Sequence, residues 1–140
     1  MLGSKEKEWK WCCNCAKCLF VYTILSPFID EEELVDIFGE NLFEKIELLE
    51  TFLELAGETN IKPFECVGTF EEVKYAISKT IGKLQEEGKK LPCLLEHYHK
   101  NYILADAKNE LMQEYNEFNN IPEELKEYIE KGIEDVRKFN

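Results

Sequence analysis

Cys12, Cys15 and Cys18 recur at a Cys-x-x-Cys-x-x-Cys spacing inside the run Trp9-Lys10-Trp11-Cys12-Cys13-Asn14-Cys15-Ala16-Lys17-Cys18. Four of the six cysteines fall within these few positions. Three thiolates held two residues apart can converge on one metal ion, and that would tie this stretch to a single point. An apolar run, Leu19 to Phe28, follows at once and is interrupted by Thr23, Ser26 and Pro27. A membrane span needs about 20 apolar residues, so the run reads as a buried segment and no membrane role is expected. The segment Met1 to Glu8 holds no signal-peptide core. The expected compartment is therefore cytoplasmic, where clustered thiols read as metal ligands or redox groups before they read as structural disulfides.

The rest of the composition narrows the partners. With 140 residues, 44% hydrophobic and 33% charged, the chain can bury a real core. The net charge of −12 repels polyphosphate backbones, so no nucleic-acid partner is expected.

Helical periodicity runs through almost every later segment, and the predicted fold is all-α: one mostly helical domain over residues 1–140 with a cysteine-rich metal-binding turn at 9–18. Cys15 to Ser26 is apolar on all sides, as a central buried helix would be, with Pro27 as its stop. A buried strand over Leu19–Leu25 is the competing reading. Asp30 and Glu33 resemble a capping box opening a short helix that stops near Gly39. Asn41 is a candidate cap for the next helix. Its stripe is Leu42, Ile46, Leu49, Leu53 and Ala56, opposed by Glu44, Glu47, Glu50 and Glu54, with Gly57 as the stop.

The segment Glu58 to Gly68 has no clear period. Thr69 with Glu72 makes a second capping box, leading a helix whose core face is Phe70, Val73, Ile77, Ile81 and Leu84. Gly88 to Pro92 is a polar turn. Helical patterning resumes from Cys93 through Phe118, with a candidate break near Asp106. Pro122 begins a last amphipathic helix with Leu125, Ile129, Ile133 and Val136 on its apolar face.

A tetrahedral Zn²⁺ shared by Cys12, Cys15 and Cys18 needs one further donor. The same spacing can hold three corners of an iron–sulfur cluster. Zinc is favoured because it needs no redox partner. Cys15 and Cys18 are expected at a helix entrance, where the dipole favours thiolate, with Trp9 and Trp11 keeping water off. Cys13 is hard to place in the same shell, and Cys66 is a distant candidate for the fourth position. The plain alternative is a set of incidental buried thiols. His97 and His99 stand two apart, so one helix face cannot present both to a metal. Tyr98, Tyr102, Tyr115 and Phe118 keep near-helical spacing and read as core. Cys93, isolated after Pro92, reads as a small buried hydrophobe.

Two segments together carry a family resemblance: Trp11-Cys12-x-x-Cys15-x-Lys17-Cys18-Leu19-Phe20 and Lys62-Pro63-Phe64-Glu65-Cys66-Val67-Gly68-Thr69. With Ser26-Pro27-Phe28 and Ile37-Phe38-Gly39-Glu40-Asn41-Leu42 between them, the chain from about Trp9 to about Ile81 resembles the C-terminal domain of UDP-N-acetylmuramoyl-L-alanyl-L-glutamate epimerase. The cysteine piece alone is also similar to a zinc-binding motif of the wider ATP-pyrophosphatase group. The resemblance implies an ATP- and Mg²⁺-dependent inversion of a terminal L-glutamate to D-glutamate in peptidoglycan precursor synthesis. Adenylation of a glutamyl carboxylate would acidify the α-proton, and inversion then needs an acid/base group on each face.

Such enzymes bind ATP through a Ser-Gly-Gly-x-Asp-Ser type loop. Here the seven glycines stand at 3, 39, 57, 68, 82, 88 and 132, no two adjacent. The nucleotide-binding domain is thus absent from these residues, and its place would be taken by an N-terminal domain or a separately encoded chain. The isolated chain is expected to be inactive. In the loop before Thr69, Lys62 is the candidate substrate-binding residue for the UDP-muramoyl dipeptide, and Glu65 and Cys66 are the candidate catalytic acid/base groups. The competing reading is a tight structural loop, with Pro63 rigid, Phe64 buried and Gly68 at an unusual backbone angle. Two other functions stay open: a zinc-stabilised helical protein-interaction module, and an iron–sulfur electron-transfer protein.

Overall fold

The computed structural model describes residues 11–61, 67–105 and 120–138, with side chains as far as 135. Among them are six α-helices, two 3-10 turns and no strand. The chain divides into two units, Met1–Ala107 and Lys108–Asn140. No helix among the described residues is long and apolar enough to cross a membrane.

In the first unit the apolar run forms α1 (Ala16–Leu25), a helix rather than a strand. Leu19, Tyr22 and Thr23 are wholly buried along it. Thr23 satisfies its hydroxyl on the Leu19 carbonyl at 2.8 Å, so burying it leaves no orphan. Pro27, which has no N–H and whose ring clashes with a continuing helix, stands just past the end. Helix α1 packs mainly against α4 (Phe70–Glu86) and then α3 (Leu49–Leu55). At the α1–α4 crossing the hydroxyls of Ser26 and Thr80 meet at 2.6 Å.

Helix α2 (Glu31–Phe38) starts at Asp30 and ends at Gly39, whose φ of +92° suits a residue without Cβ. The expected capping box at Asp30 does not form. The Asp30 carboxylate turns instead to Lys83 of α4, at 2.9 Å, where a full positive charge outcompetes a backbone amide.

The stretch expected to be one helix from Leu42 to Ala56 is broken. It runs as 3-10 turns at Leu42–Glu44 and Ile46–Leu48, separated by Lys45 in extended conformation (φ −90°, ψ 93°), before α3 begins. Asn41 does cap the first turn, accepting from the Phe43 amide at 3.0 Å and from the Tyr22 hydroxyl at 3.1 Å. The break rotates the buried face. Phe43, Leu48, Phe52 and Leu55 join Leu42 and Ala56 in the core, while Ile46 is left 60% exposed.

Gly57 closes α3 at φ +71°, with the Glu58 amide reaching back to the Leu53 carbonyl at 2.9 Å. The Thr69–Glu72 capping box forms as expected, and Val73, Ile77, Ile81 and Leu84 of α4 are buried. Each large apolar side chain fully buried in this way contributes about 1.5–3 kcal/mol. Helix α5 (Cys93–Asn101) buries Leu94, Leu95 and Tyr98. It stops at Asn101, a little ahead of the candidate break near Asp106, and the rest of the expected helical stretch, 106–118, lies outside the described residues. Asn101 bonds the His97 carbonyl at 2.8 Å with its side chain, and Tyr102 is extended. The second unit is described by α6 (Glu123–Lys138), which Pro122 precedes as expected. Leu125, predicted to face inward, is 48% exposed.

Candidate metal centre

The sulfurs of Cys12, Cys15 and Cys18 meet at the N-terminus of α1. Their separations are 3.2 Å (Cys12–Cys15), 3.4 Å (Cys12–Cys18) and 3.5 Å (Cys15–Cys18). All are free thiols. Three thiolates on one tetrahedral ion with a metal–sulfur bond of about 2.3 Å sit about 3.8 Å apart. The observed triangle is a few tenths of an ångström tighter and encloses the same point, so these sulfurs fit a single metal ion. Among the described residues the cluster has three donors, which leaves a tetrahedral ion one further position.

Local backbone geometry explains the convergence. Cys15 is the N-cap of α1, extended at φ −123°, and Cys18 lies one turn on. The helix N-terminus places its partial positive charge beside both sulfurs. Between Cys12 and Cys15 the chain reverses through Cys13 in the left-handed region, φ 54°. A non-glycine residue there costs about 1–2 kcal/mol. The reversal turns the Cys13 side chain away from the triangle, into the core, where its thiol donates to the Phe38 carbonyl at 3.2 Å. Cys13 is therefore structural. Trp11 stacks on Phe38 with ring centres 4.6 Å apart and stays 43% exposed.

The sulfurs differ in acidity. The Asn14 amide, helped by the two neighbouring thiols, brings Cys12 from 9.0 down to about 7. Burial pushes Cys18 up to about 11. Cys12 is thus the more acidic of these two thiols, and an ion bound between them would have to displace the Cys18 proton.

Other predicted residues lie elsewhere. Cys93 donates its thiol to the Phe43 carbonyl at 3.3 Å, and burial raises its pKa. His99 is exposed beside Gln85 and His97 lies near the Tyr102 ring, neither with the sulfurs. Tyr98 is core, whereas Tyr115 and Phe118 lie outside the described residues. So do Trp9 and the loop residues Lys62, Glu65 and Cys66. The loop's described end, Gly68, lies against α1: a Cβ there would come within 2.8 Å of the Phe20 ring.

One residue the sequence did not single out is Lys45. Its Nζ bonds the Cys13 carbonyl at 3.0 Å, Asn14 Oδ1 at 2.7 Å and Glu40 Oε1 at 3.1 Å. In sequence it sits in a run that patterns as the polar face of a helix, and only the three-dimensional fold brings it to the turn.

The family model for the MurL C-terminal domain matches residues 2–117. A protein of Micromonospora sp. named UDP-N-acetyl-alpha-D-muramoyl-L-alanyl-L-glutamate epimerase is 42% identical over 74 residues, which are 53% of this chain and 17% of that protein. Proteins of the same name from Salinispora tropica and Xanthomonas oryzae pv. oryzae are 42% and 39% identical over 69 residues, 49% of this chain and 15% of each of theirs. The matched stretch thus spans about a sixth of these relatives. No solved structure matches. On the match over residues 2–117, the chain belongs to the MurL C-terminal domain family.

Proposed function

We propose that this chain serves as the C-terminal domain of an ATP-dependent epimerase converting the terminal L-glutamate of UDP-N-acetylmuramoyl-L-alanyl-L-glutamate to D-glutamate. The observation that carries the reading is the family match over residues 2–117, joined to the name its relatives share. The chain acts together with an ATP-binding domain or chain, in the cytoplasm, where ATP and a UDP-linked substrate are at hand. Alone it is inactive. With no two glycines adjacent in these 140 residues, a loop of the Ser-Gly-Gly-x-Asp-Ser type cannot be built from them.

Cys12, Cys15 and Cys18 hold a structural zinc. The sulfur spacing of 3.2–3.5 Å suits one ion. An iron–sulfur cluster gives each cysteine its own iron and spreads the sulfurs beyond contact with one another. Zinc would lock the turn to α1 and brace the seam with the ATP-binding domain, away from the chemistry. Lys62 binds the anionic substrate, in the segment that precedes α4 in sequence, a helix whose N-terminal dipole favours negative charge. Glu65 and Cys66 move the proton. Inversion at a carbon needs a group to take the proton from one face and another to return it from the opposite face.

The test is reconstitution. The 140-residue chain with ATP, Mg²⁺ and the UDP-muramoyl dipeptide should give no D-glutamate. Adding an ATP-binding domain from a relative should give ATP-dependent inversion with solvent deuterium at the α-carbon, lost in Glu65→Gln and Cys66→Ala. Inversion by the chain alone would overturn its dependence on a partner. Inactivity of the mixture, where the intact relative is active, would overturn the epimerase reading.

A further inference from the structure

Lys45 donates to three acceptors, and an ammonium group has three protons to give. Its side chain is only 13% exposed, so packing holds it in place. Its backbone is the extended residue that interrupts what would otherwise pattern as a continuous helix. From that break the side chain reaches back more than thirty residues in sequence, to the turn between Cys12 and Cys15.

Two of its three acceptors, the Cys13 carbonyl and Asn14 Oδ1, lie inside that turn. The turn depends on Cys13 at φ 54°, a conformation that non-glycine residues leave readily when nothing holds them. The Cys13 thiol is held by the Phe38 carbonyl on the core side, and the Cys13 carbonyl by the Lys45 ammonium group. Fixing that carbonyl fixes the peptide plane between Cys13 and Asn14, in the middle of the turn that joins Cys12 to Cys15. Glu40 takes the third proton and sets the ammonium group from outside.

We infer that Lys45 is a positioning residue for the metal centre, holding Cys12 and Cys15 in register with Cys18 before an ion arrives. The inference rests on the reading of these three cysteines as ligands. Residues in this outer role typically change metal affinity about 10- to 100-fold when removed.

Co²⁺ is the probe, titrated into the reduced 140-residue chain and followed by its thiolate charge-transfer and d–d bands. Lys45→Met should weaken Co²⁺ binding about 10- to 100-fold and alter the d–d bands. Lys74→Met, which breaks the 2.9 Å pair with Glu58, should lower the melting temperature and leave Co²⁺ affinity and spectrum unchanged. Where Lys45→Met does not fold, Asn14→Ala decides: it removes one Lys45 acceptor from an exposed side chain and should weaken Co²⁺ binding several-fold. Unchanged affinity and spectrum in Lys45→Met (or, in its place, Asn14→Ala), or an equal loss in Lys74→Met, would overturn the role. If the unsubstituted chain binds no Co²⁺, the metal centre itself fails, and this role with it.

Discussion

The sulfurs of Cys12 and Cys18 lie 3.4 Å apart, one in a reversed turn and the other in the first turn of α1. An ion bound there would tie the turn to the start of the helix and add its binding free energy to folding. A metal at 100 times its dissociation constant adds about 2.7 kcal/mol. Chelation under reducing conditions should therefore lower the melting temperature by roughly 10 °C. The double variant Cys12→Ser/Cys18→Ser should melt at the lower temperature and ignore the chelator. Differential scanning fluorimetry with and without EDTA reads both.

Three glycines should respond to alanine in three ways. Gly57 holds φ +71°, and a Cβ would come within 2.7 Å of the Phe70 ring, so Gly57→Ala meets both backbone strain and a clash. Gly39, at φ +92°, has open space around it and meets the strain alone, about 1 kcal/mol. Gly82 lies inside α4 with nothing within 4 Å and no positive φ. Gly82→Ala should stabilise by about 0.5–1 kcal/mol. Urea denaturation should rank the stabilities Gly82→Ala, unsubstituted chain, Gly39→Ala, Gly57→Ala, from highest to lowest.

Glu58 makes stability depend on acid. Burial pushes its pKa up, but the Tyr98 hydroxyl at 2.7 Å and the Lys74 ammonium at 2.9 Å outweigh that and hold it below its ordinary 4.5. A carboxyl with a depressed folded-state pKa adds stability above its unfolded value, and that stability is lost as pH falls through the folded value. Denaturation midpoints should fall below about pH 4.5, and Glu58→Gln should flatten part of that fall. Tyr98→Phe should cost about 1.5–3 kcal/mol at pH 7, as for a hydrogen bond to a charged group.

Ser26 and Thr80 have two hydroxyl protons between them and three contacts to fill: Thr23 O at 2.7 Å, Ala76 O at 2.8 Å, and each other at 2.6 Å. Removing the Thr80 hydroxyl leaves Ser26 donating to the Thr23 carbonyl, whereas removing the Ser26 hydroxyl takes away that carbonyl's donor, because Pro27 four residues on has no N–H. Thr80→Val should cost about 0.5–1.5 kcal/mol and Ser26→Ala about 1–3 kcal/mol, and the double variant less than the sum. A double-mutant cycle by urea denaturation checks it.

Local chemistry was readable along the chain. The cysteine triangle follows from spacing within one turn and the start of one helix, α1 from an apolar run that Pro27 ends, and the Gly39, Gly57 and Thr69 boundaries from neighbouring residues. What sequence could not reveal depends on partners far away. Asp30 abandons its capping box because Lys83 arrives from α4, and the Leu42–Ala56 helix breaks where Lys45 turns toward Cys13. Periodicity records which side of an uninterrupted helix faces inward. It carries no trace of a side chain drawn across thirty residues to a carbonyl.

The central claim is that Cys12, Cys15 and Cys18 form a metal centre in a MurL C-terminal domain, and native mass spectrometry of the 140-residue chain, purified reduced with zinc supplied, tests it most directly. The account predicts one zinc per chain, and none in Cys12→Ser/Cys15→Ser/Cys18→Ser. A folded chain that carries no metal, with these three thiols all free to alkylate, would contradict it.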